Sequence, residues 1–279
     1  VRDDQGLRED VLVTGARSTG AAFDPGLDVR ARREPLGFEY GPGVFGPSPE
    51  LRSLEAIRRS LRDPGCSGPD PVYAIAMDVG RDGHRSELVR RQLLFGVVTY
   101  AAGRLGEEPV RSQGHVHSVA PHSGWSPPEL YEIWAGRAIV YMQERAADDP
   151  GRCFAIAAGP GEVVIVPPAW AHATVSADPA EPMIFGAWCD REYGFEYAEV
   201  RARGGLAWFP LLTAGGRVAW RRNPRCVERP LVARPARAYP ELGLRSGEPI
   251  YRTFERDPDA VQWVSDPARL AGLWPGFEP

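Results

Sequence analysis

His115 and His117 stand two residues apart in "SQGHVHSV". In an extended strand, residues i and i+2 face the same side, so the two imidazoles would converge. Downstream, "ELYEIWAG" opens with Glu129; Tyr131 shares its face by the same spacing, and Gly136 follows after six intervening residues. "GEVVIVPPAWAH" then runs from Gly161 through five residues to Pro167, with His172 five positions later, and reads as strand, tight turn, strand. His115, His117, Glu129 and His172 on neighbouring strands would supply three nitrogens and one oxygen. That shell suits a divalent ion such as Fe²⁺, Mn²⁺, Ni²⁺ or Zn²⁺, with positions left open for a substrate. A lone H-x-H is more readily a pair of scattered surface or hydrogen-bonded histidines. The ordered Glu-(x)6-Gly and Gly-(x)5-Pro-(x)4-His behind it tip the balance toward a metal.

Strands must hold such a shell, and from about residue 72 the text supplies them. "PVYAIAMDV", "RQLLFGVVTYAA", "ELYEIWAG", "RAIVYMQE", "RCFAIAAG", "EVVIVPP", "AHATVSA" and "PMIFGAWC" are short β-rich runs punctuated by Gly, Pro and Asp. This spacing predicts an all-β sandwich or barrel, without the helix-strand alternation of a parallel sheet. Ahead of it, "SPELRSLEAIRRSLRDPG" predicts one amphipathic helix: Ser48 as cap, Pro49 in the first turn, a stripe of Leu51, Leu54, Ile57 and Leu61, and a stop at Asp63-Pro64-Gly65. Residues 1–36 read as a loosely docked arm, 37–234 as the barrel, and 235–279 as an extension that packs on it through Trp263 and Trp274. In that extension "DPDAVQW" and "DPARLAGLW" look like short helix starts.

Composition narrows the chemistry further. The 279 residues contain no lysine; all 33 basic residues are arginine. A lysine Schiff base, and with it covalent pyridoxal phosphate chemistry, is excluded, as is a P-loop. The net charge of −4 argues against nucleic acid as a partner, and no apolar run is long enough to suggest a membrane span. Four scattered cysteines without a C-x-x-C and an N-terminal stretch without an apolar segment lead to the expectation of a cytoplasmic protein with reduced thiols. The arginine-rich "VAWRRNPRC" reads as a solvated face.

The histidine, glutamate, glycine and proline spacings are those of the cupin superfamily. The pieces "PDPVYAIAM", "GHVH", "ELY", "VIVPPAWAHATV", "EYGFEYAEV" and "NPRC" resemble the cupin-type, archaeal-type glucose-6-phosphate isomerases over roughly residues 37–228. The resemblance implies a double-stranded β-helix (a jelly-roll barrel), a divalent metal on His115, His117, Glu129 and His172, and a homodimer. Tyr131 matches a family active-site tyrosine. The resemblance also places Thr99, Arg111, Ser112, Gln113, Gly114 and Tyr197 around a sugar-like substrate.

The departures are equally specific. Eleven residues, "SVAPHSGWSPP", separate His117 from Glu129 where the family has few, and they bring His122 and Trp125 toward the metal mouth. His122 reads either as a solvated loop residue or as an extra ligand or substrate contact. Ser112-Gln113 replaces the family's Thr-Lys, Ala169 replaces a tyrosine, and Phe195 replaces a histidine. The implied activity is metal-dependent isomerisation or epimerisation of a sugar or sugar-derived metabolite, phosphorylated by family precedent. A specialised pathway such as antibiotic biosynthesis would account for the altered pocket. In this scheme Glu129 shuttles a proton through an enediolate, and Tyr131 either donates to substrate or simply packs. A hydride shift, an Fe²⁺-dependent oxygenase and a non-catalytic sugar-binding cupin remain alternatives, because the same ligand set serves them all.

Overall fold

The computed structural model describes Leu7–Arg8 and residues 23–279. Two sheets form the barrel, and we number their strands, with two short pieces between them, in chain order. They are β1 (Glu50–Arg52), β2 (Tyr73–Met77), β3 (Leu93–Tyr100), β4 (Val116–His117), β5 (Glu129–Ala135), β6 (Ala138–Gln143), β7 (Cys153–Ala158), β8 (Val163–Val166), β9 (Ala171–Ser176), β10 (Ile184–Asp190), β11 (Phe195–Glu196) and β12 (Leu231–Pro235). One sheet has six strands in the order β8-β5-β10-β3-β2-β1, the other four in the order β9-β6-β7-β12, and β4 pairs with β11. Pairing is antiparallel throughout except between β7 and β12. The architecture is all-β and jelly-roll-like, as expected from the punctuation of the sequence.

Side-chain alternation along β5 decides what each residue can do. Tyr131 and Ile133 point into the space between the sheets, among Val140, Met142, Ile156 and Phe185. Leu130 and Trp134 point outward into a second apolar cluster with Phe95, Trp188, Tyr251, Phe254 and Trp263. A third cluster covers the outside of the four-stranded sheet with Trp208 and Trp220 of the hairpin Trp208–Leu212/Val218–Arg222. Both sheets are thus covered on both faces, which explains why their strands are apolar at nearly every position rather than at alternate ones. The turn between β5 and β6 needs Gly136: its φ is +74°, and a Cβ there would come within 2.6 Å of the Pro182 carbonyl.

The extension after residue 235 covers the six-stranded sheet. Trp188 stacks on Tyr251 at 5.6 Å and donates its indole N–H to the Ile250 carbonyl at 3.0 Å. Burying each such ring stabilises the contact by about 1.5–3 kcal/mol. The two short helices expected there are 3-10 turns, Pro258–Val264 and Pro267–Leu270, each with proline in its first turn. Beneath the extension lies Glu132, accepting from Trp134 Nε1 at 3.0 Å and from the Ile250 amide at 2.9 Å. Burial raises its carboxyl from 4.5 to about 8 despite these bonds. Its folded pKa exceeds its unfolded one, so the stability it contributes is complete below about pH 4.5 and drains away as pH rises toward 8, by at most ~1.4 kcal/mol per unit. Glu132→Gln cannot ionise and is expected to lack that slope. Urea unfolding of both proteins between pH 5 and 9 measures it, and parallel pH dependences would contradict the assignment.

Two expectations at the N-terminal side need correction. The helix does not start at Ser48. Residues 50–52 form β1 and pair with Tyr73–Ile75 at the edge of the six-stranded sheet, leaving Leu51 51% exposed. The helix is the short Leu54–Ile57, capped by Ser53 Oγ accepting from the Ala56 amide, and a 3-10 turn continues it over Arg58–Ser60. An open sheet edge outcompeted a weak helical period, whose first apolar residue found no core to enter. The expected arm also contains structure at its end: Val29–Arg33 pairs with Leu36–Tyr40, so a boundary after residue 36 would cut a hairpin. The remainder of that arm, residues 1–6 and 9–22, lies outside the described residues.

Candidate metal centre

Backbone pairing brings the three histidines together. His115 and His172 face one another in an antiparallel bridge and exchange N–H···O bonds of 3.0 and 2.9 Å. His172 belongs to β9, opposite Met142 of β6, and points into the barrel. His117 ends β4, directly across from Phe195 in β11. Glu129 opens β5 on the same inward face as Tyr131. One ligand atom from each of His115, His117, Glu129 and His172 lies within 4.8 Å of the others.

Hydrogen bonds at the far side of two rings settle their tautomers. His117 Nδ1 lies 2.9 Å from the Pro127 carbonyl, and His172 Nδ1 lies 3.2 Å from the Trp170 carbonyl. A carbonyl only accepts, so both Nδ1 atoms carry the proton and both Nε2 lone pairs face the centre. His115 is partly exposed as a residue, yet its Nε2 is sealed from solvent and has no hydrogen-bond partner; His117 Nε2 likewise. The 3.4 Å from His117 Nε2 to Glu129 Oε2 is an electrostatic contact rather than an aligned hydrogen bond. Inward lone pairs beside a carboxylate are what a divalent cation satisfies, and carbonyl-anchored imidazoles are the usual supports of such ligands. The donor set fits an ion of the kind expected from the sequence.

Electrostatics keep the carboxylate ionised. Burial alone would raise the Glu129 carboxyl, but His117 and His172 outweigh it and hold the group well below the usual carboxylate range. Burial lowers His115 well below 6.5, and the neighbouring histidines add to that. At His117 burial pulls the same way, but the Glu129 carboxylate prevails and raises it. Glu129 Oε2 accepts from the Tyr131 hydroxyl and sits 3.1 Å from His172 Nε2, while Cys189 Sγ lies 3.0 Å from Oε1. Burial, then the carboxylate, pushes the Tyr131 phenol and the Cys189 thiol well up, so both remain protonated donors.

A narrow cavity opens beside the cluster. His115, Glu129, Tyr131, Ser112, Gln113 and Tyr197 all line it, with an apolar wall from Ile75, Met77, Val98, Phe185, Ala187 and Phe195. Three expected substrate contacts do not. Thr99 lies between Val98 and Tyr100, which face the cavity, so alternation turns it away. Arg111 is buried with its donors committed to Glu108, the Ser112 carbonyl and the Ser60 carbonyl. Gly114 has φ +86° and its missing side chain leaves room for Leu206, so its role is in the path of the chain.

Of the two readings of the loop inserted after His117, the structure keeps the loop-histidine one: residue 122 is exposed. His122 does not join the cluster. Its Nδ1 lies 3.1 Å from Glu192 Oε2, and its Nε2 lies 3.0 Å from the Ser265 carbonyl and 3.3 Å from Asp190 Oδ2. Trp125 packs on the outer apolar cluster. The near end of the loop does reach the centre, through Pro127 on His117 Nδ1 and Ser126 Oγ donating to the His117 carbonyl at 2.5 Å. Two arginines that no motif singled out complete the surroundings. Arg52 lines the cavity, and Arg201 Nε donates to Gln113 Oε1 at 2.9 Å. Nothing local marks either one, because each reaches the site by tertiary packing.

A family model described as glucose-6-phosphate isomerase matches residues 53–228, which spans every residue of the cluster. This chain belongs to the glucose-6-phosphate isomerase family. The glucose-6-phosphate isomerase of Thermococcus gammatolerans is 30% identical over 175 residues, 61% of this chain and 78% of that one. That of Thermococcus onnurineus is 30% identical over 154 residues, 54% and 68% of the two chains. Among solved structures, vicilin from Capsicum annuum aligns over 52% of this chain and 34% of its own, with 14% identity and a TM-score of 0.31, too weak a likeness to carry weight. This family member is therefore an enzyme of the sugar-isomerase class on a cupin barrel. Among its described residues no helix is long and apolar enough to cross a membrane.

Proposed function

We propose that this enzyme interconverts an aldose and a ketose, or two epimers, of a sugar phosphate or related sugar through an enediolate, with Glu129 as the proton carrier. The observation that carries the reading is the placement of Glu129. Its carboxylate lines the cavity while sharing Oε2 with the Tyr131 hydroxyl and the His172 ring. His115, His117, His172 and Glu129 would hold the divalent ion, which when bound acidifies the C–H beside the substrate carbonyl and stabilises the enediolate charge.

The remaining work falls to side chains. Glu129 takes the proton from the carbon next to the carbonyl; the C–H electron pair becomes the C=C bond and the carbonyl oxygen takes up the negative charge. Returning that proton to the neighbouring carbon, with transfer of the hydroxyl proton between the two oxygens, gives the isomer. Returning it to the other face of the original carbon gives the epimer. No electrons are gained or lost overall. Tyr131, kept protonated, donates to a substrate oxygen or to Glu129 as its charge changes. The proton held by Glu129 exchanges with solvent during the lifetime of the enediolate, so part of what is returned comes from water.

Metal-reconstituted protein assayed under nitrogen in D₂O, with glucose 6-phosphate and fructose 6-phosphate, tests this. Interconversion with deuterium entering at the carbon that accepts the proton is the expected result. Turnover without deuterium entry would point to a hydride shift and remove Glu129 from the proton path. An absolute need for oxygen would overturn the isomerase reading altogether.

A further inference from the structure

We propose that the substrate is a deoxysugar: a carbon away from the reacting pair lacks its hydroxyl and lies on an apolar floor built by Ala187, Gly96, Met77, Phe185, Val98 and Ile75. This deepens, and rests on, the reading that the cavity is the substrate site of an isomerase.

Strand register builds the floor. Tyr131 stands opposite Ala187, Ala187 opposite Gly96, and Gly96 opposite Met77, so one row crosses β5, β10, β3 and β2 on the inward face. Glu129 lies one step of about 7 Å along β5 from that row. A second row, Ile133, Phe185, Val98 and Ile75, follows two residues further. The six floor residues all line the cavity. None has a side-chain donor, and the Met77 sulfur is only a weak acceptor. The backbones of β10, β3 and β2 pair with neighbours on both sides and have little left to offer.

Small residues leave the space open. Ala187 and Gly96 sit in the row of Tyr131, and Met77 leans over the gap at Gly96, where a Cβ would lie 2.5 Å from its sulfur. On β2 the outward-facing Ala74 and Ala76 are sealed, whereas the inward-facing Ile75 and Met77 stay partly exposed. Apolar surface is thus left uncovered inside the barrel, in the same cavity as the proton carrier.

Hydroxyl groups gather elsewhere around that cavity. Ser112 Oγ accepts from the Thr174 amide at 3.1 Å, and the Thr174 hydroxyl lies 2.5 Å from that of Tyr100. Thr174 belongs to β9 in the facing sheet, so a sugar turns its hydroxyls to that side. The floor spans three strands, about 10 Å, and two rows, about 7 Å. A fully hydroxylated sugar laid on it keeps at least one hydroxyl over carbon, without a partner and cut off from water. The enediolate needs oxygen on both reacting carbons, so the carbon that meets the floor lies elsewhere in the molecule.

Matched pairs of sugars test this. The folded, metal-loaded full chain is titrated calorimetrically with 6-deoxyglucose against glucose, and with 3-deoxy- and 4-deoxyglucose 6-phosphate, each against glucose 6-phosphate. In one pair the deoxysugar is expected to bind about 10- to 100-fold more tightly, the range for a hydroxyl buried without a partner. That pair identifies the carbon. Val98→Thr places a hydroxyl on the floor and keeps the branched shape, and should cut the preference by about 10-fold. Gly96→Ala, whose Cβ pushes Met77 into the cavity, should weaken deoxysugar and parent alike. Both variants should keep the wild-type content of divalent ion. Parents that bind as tightly as their deoxysugars in all three pairs, or a Val98→Thr protein with its preference intact, would overturn the proposal. A deoxysugar preference without turnover of any of these sugars would leave the floor standing and remove the isomerase reading. Turnover without the preference would do the reverse.

Discussion

His172→Ala is expected to lower the protein's affinity for a divalent ion by more than ~10²-fold, beyond what is lost when a residue that merely supports a ligand is changed. The backbone at this position exchanges both bridge hydrogen bonds with His115, and alanine preserves them. The lost group is one of four donors whose atoms lie within 4.8 Å, and it also contacts Glu129 Oε2. Manganese titration followed by EPR, with elemental analysis of the purified protein, measures the change. Thermal unfolding supplies a second readout. An ion that binds only the folded state stabilises it by about 2.7 kcal/mol at one hundred times its Kd, so the wild type should gain thermal stability on metal addition and the variant should not. Wild-type protein that takes up no divalent ion, or a variant that binds as tightly, would dismantle the centre and every chemical step built on it.

Glu129→Gln is expected to lower turnover by about 10²–10⁴-fold, the range of a positioned general base. Glutamine matches the shape and can still offer an oxygen toward the centre, but it cannot accept a proton from carbon. Its amide also places N–H groups where Oε1 and Oε2 now face the Cys189 thiol, the Tyr131 hydroxyl and His172. Metal occupancy must therefore be measured on the same sample, and the loss in kcat compared at equal occupancy. Deuterium exchange into bound substrate should vanish with turnover. Tyr131→Phe separates the two neighbours: it removes a hydroxyl, keeps the carboxylate, and should cost less than Glu129→Gln. A metal-loaded Glu129→Gln enzyme with normal turnover would exclude Glu129 from the proton path.

The legible part of this protein was its periodic and short-range part. Alternation put His115 with His117 and Glu129 with Tyr131, and punctuation by glycine and proline located the strands around them. The helix over 48–64 went astray because its apolar spacing is satisfied equally by a strand and a short helix; only the free edge at Tyr73–Ile75 decided for β1. Arg111 carried the charge a substrate site needs, but its neighbour Glu108 and the Ser60 carbonyl claimed it. His122 lay close to the cluster in sequence and docked elsewhere, because the acceptors it found come from Glu192 and Ser265.

The sequence by itself determined the ligand types, their order, and the face of the strand each would occupy, since two-residue periodicity and turn residues act over a few bonds. Tertiary structure alone decided that Arg111 is consumed by the Ser60 carbonyl, that Arg52 lines the cavity, and that Arg201 reaches Gln113. The arginine outcomes depend on contacts between segments 51 and 88 residues apart, which no local pattern encodes.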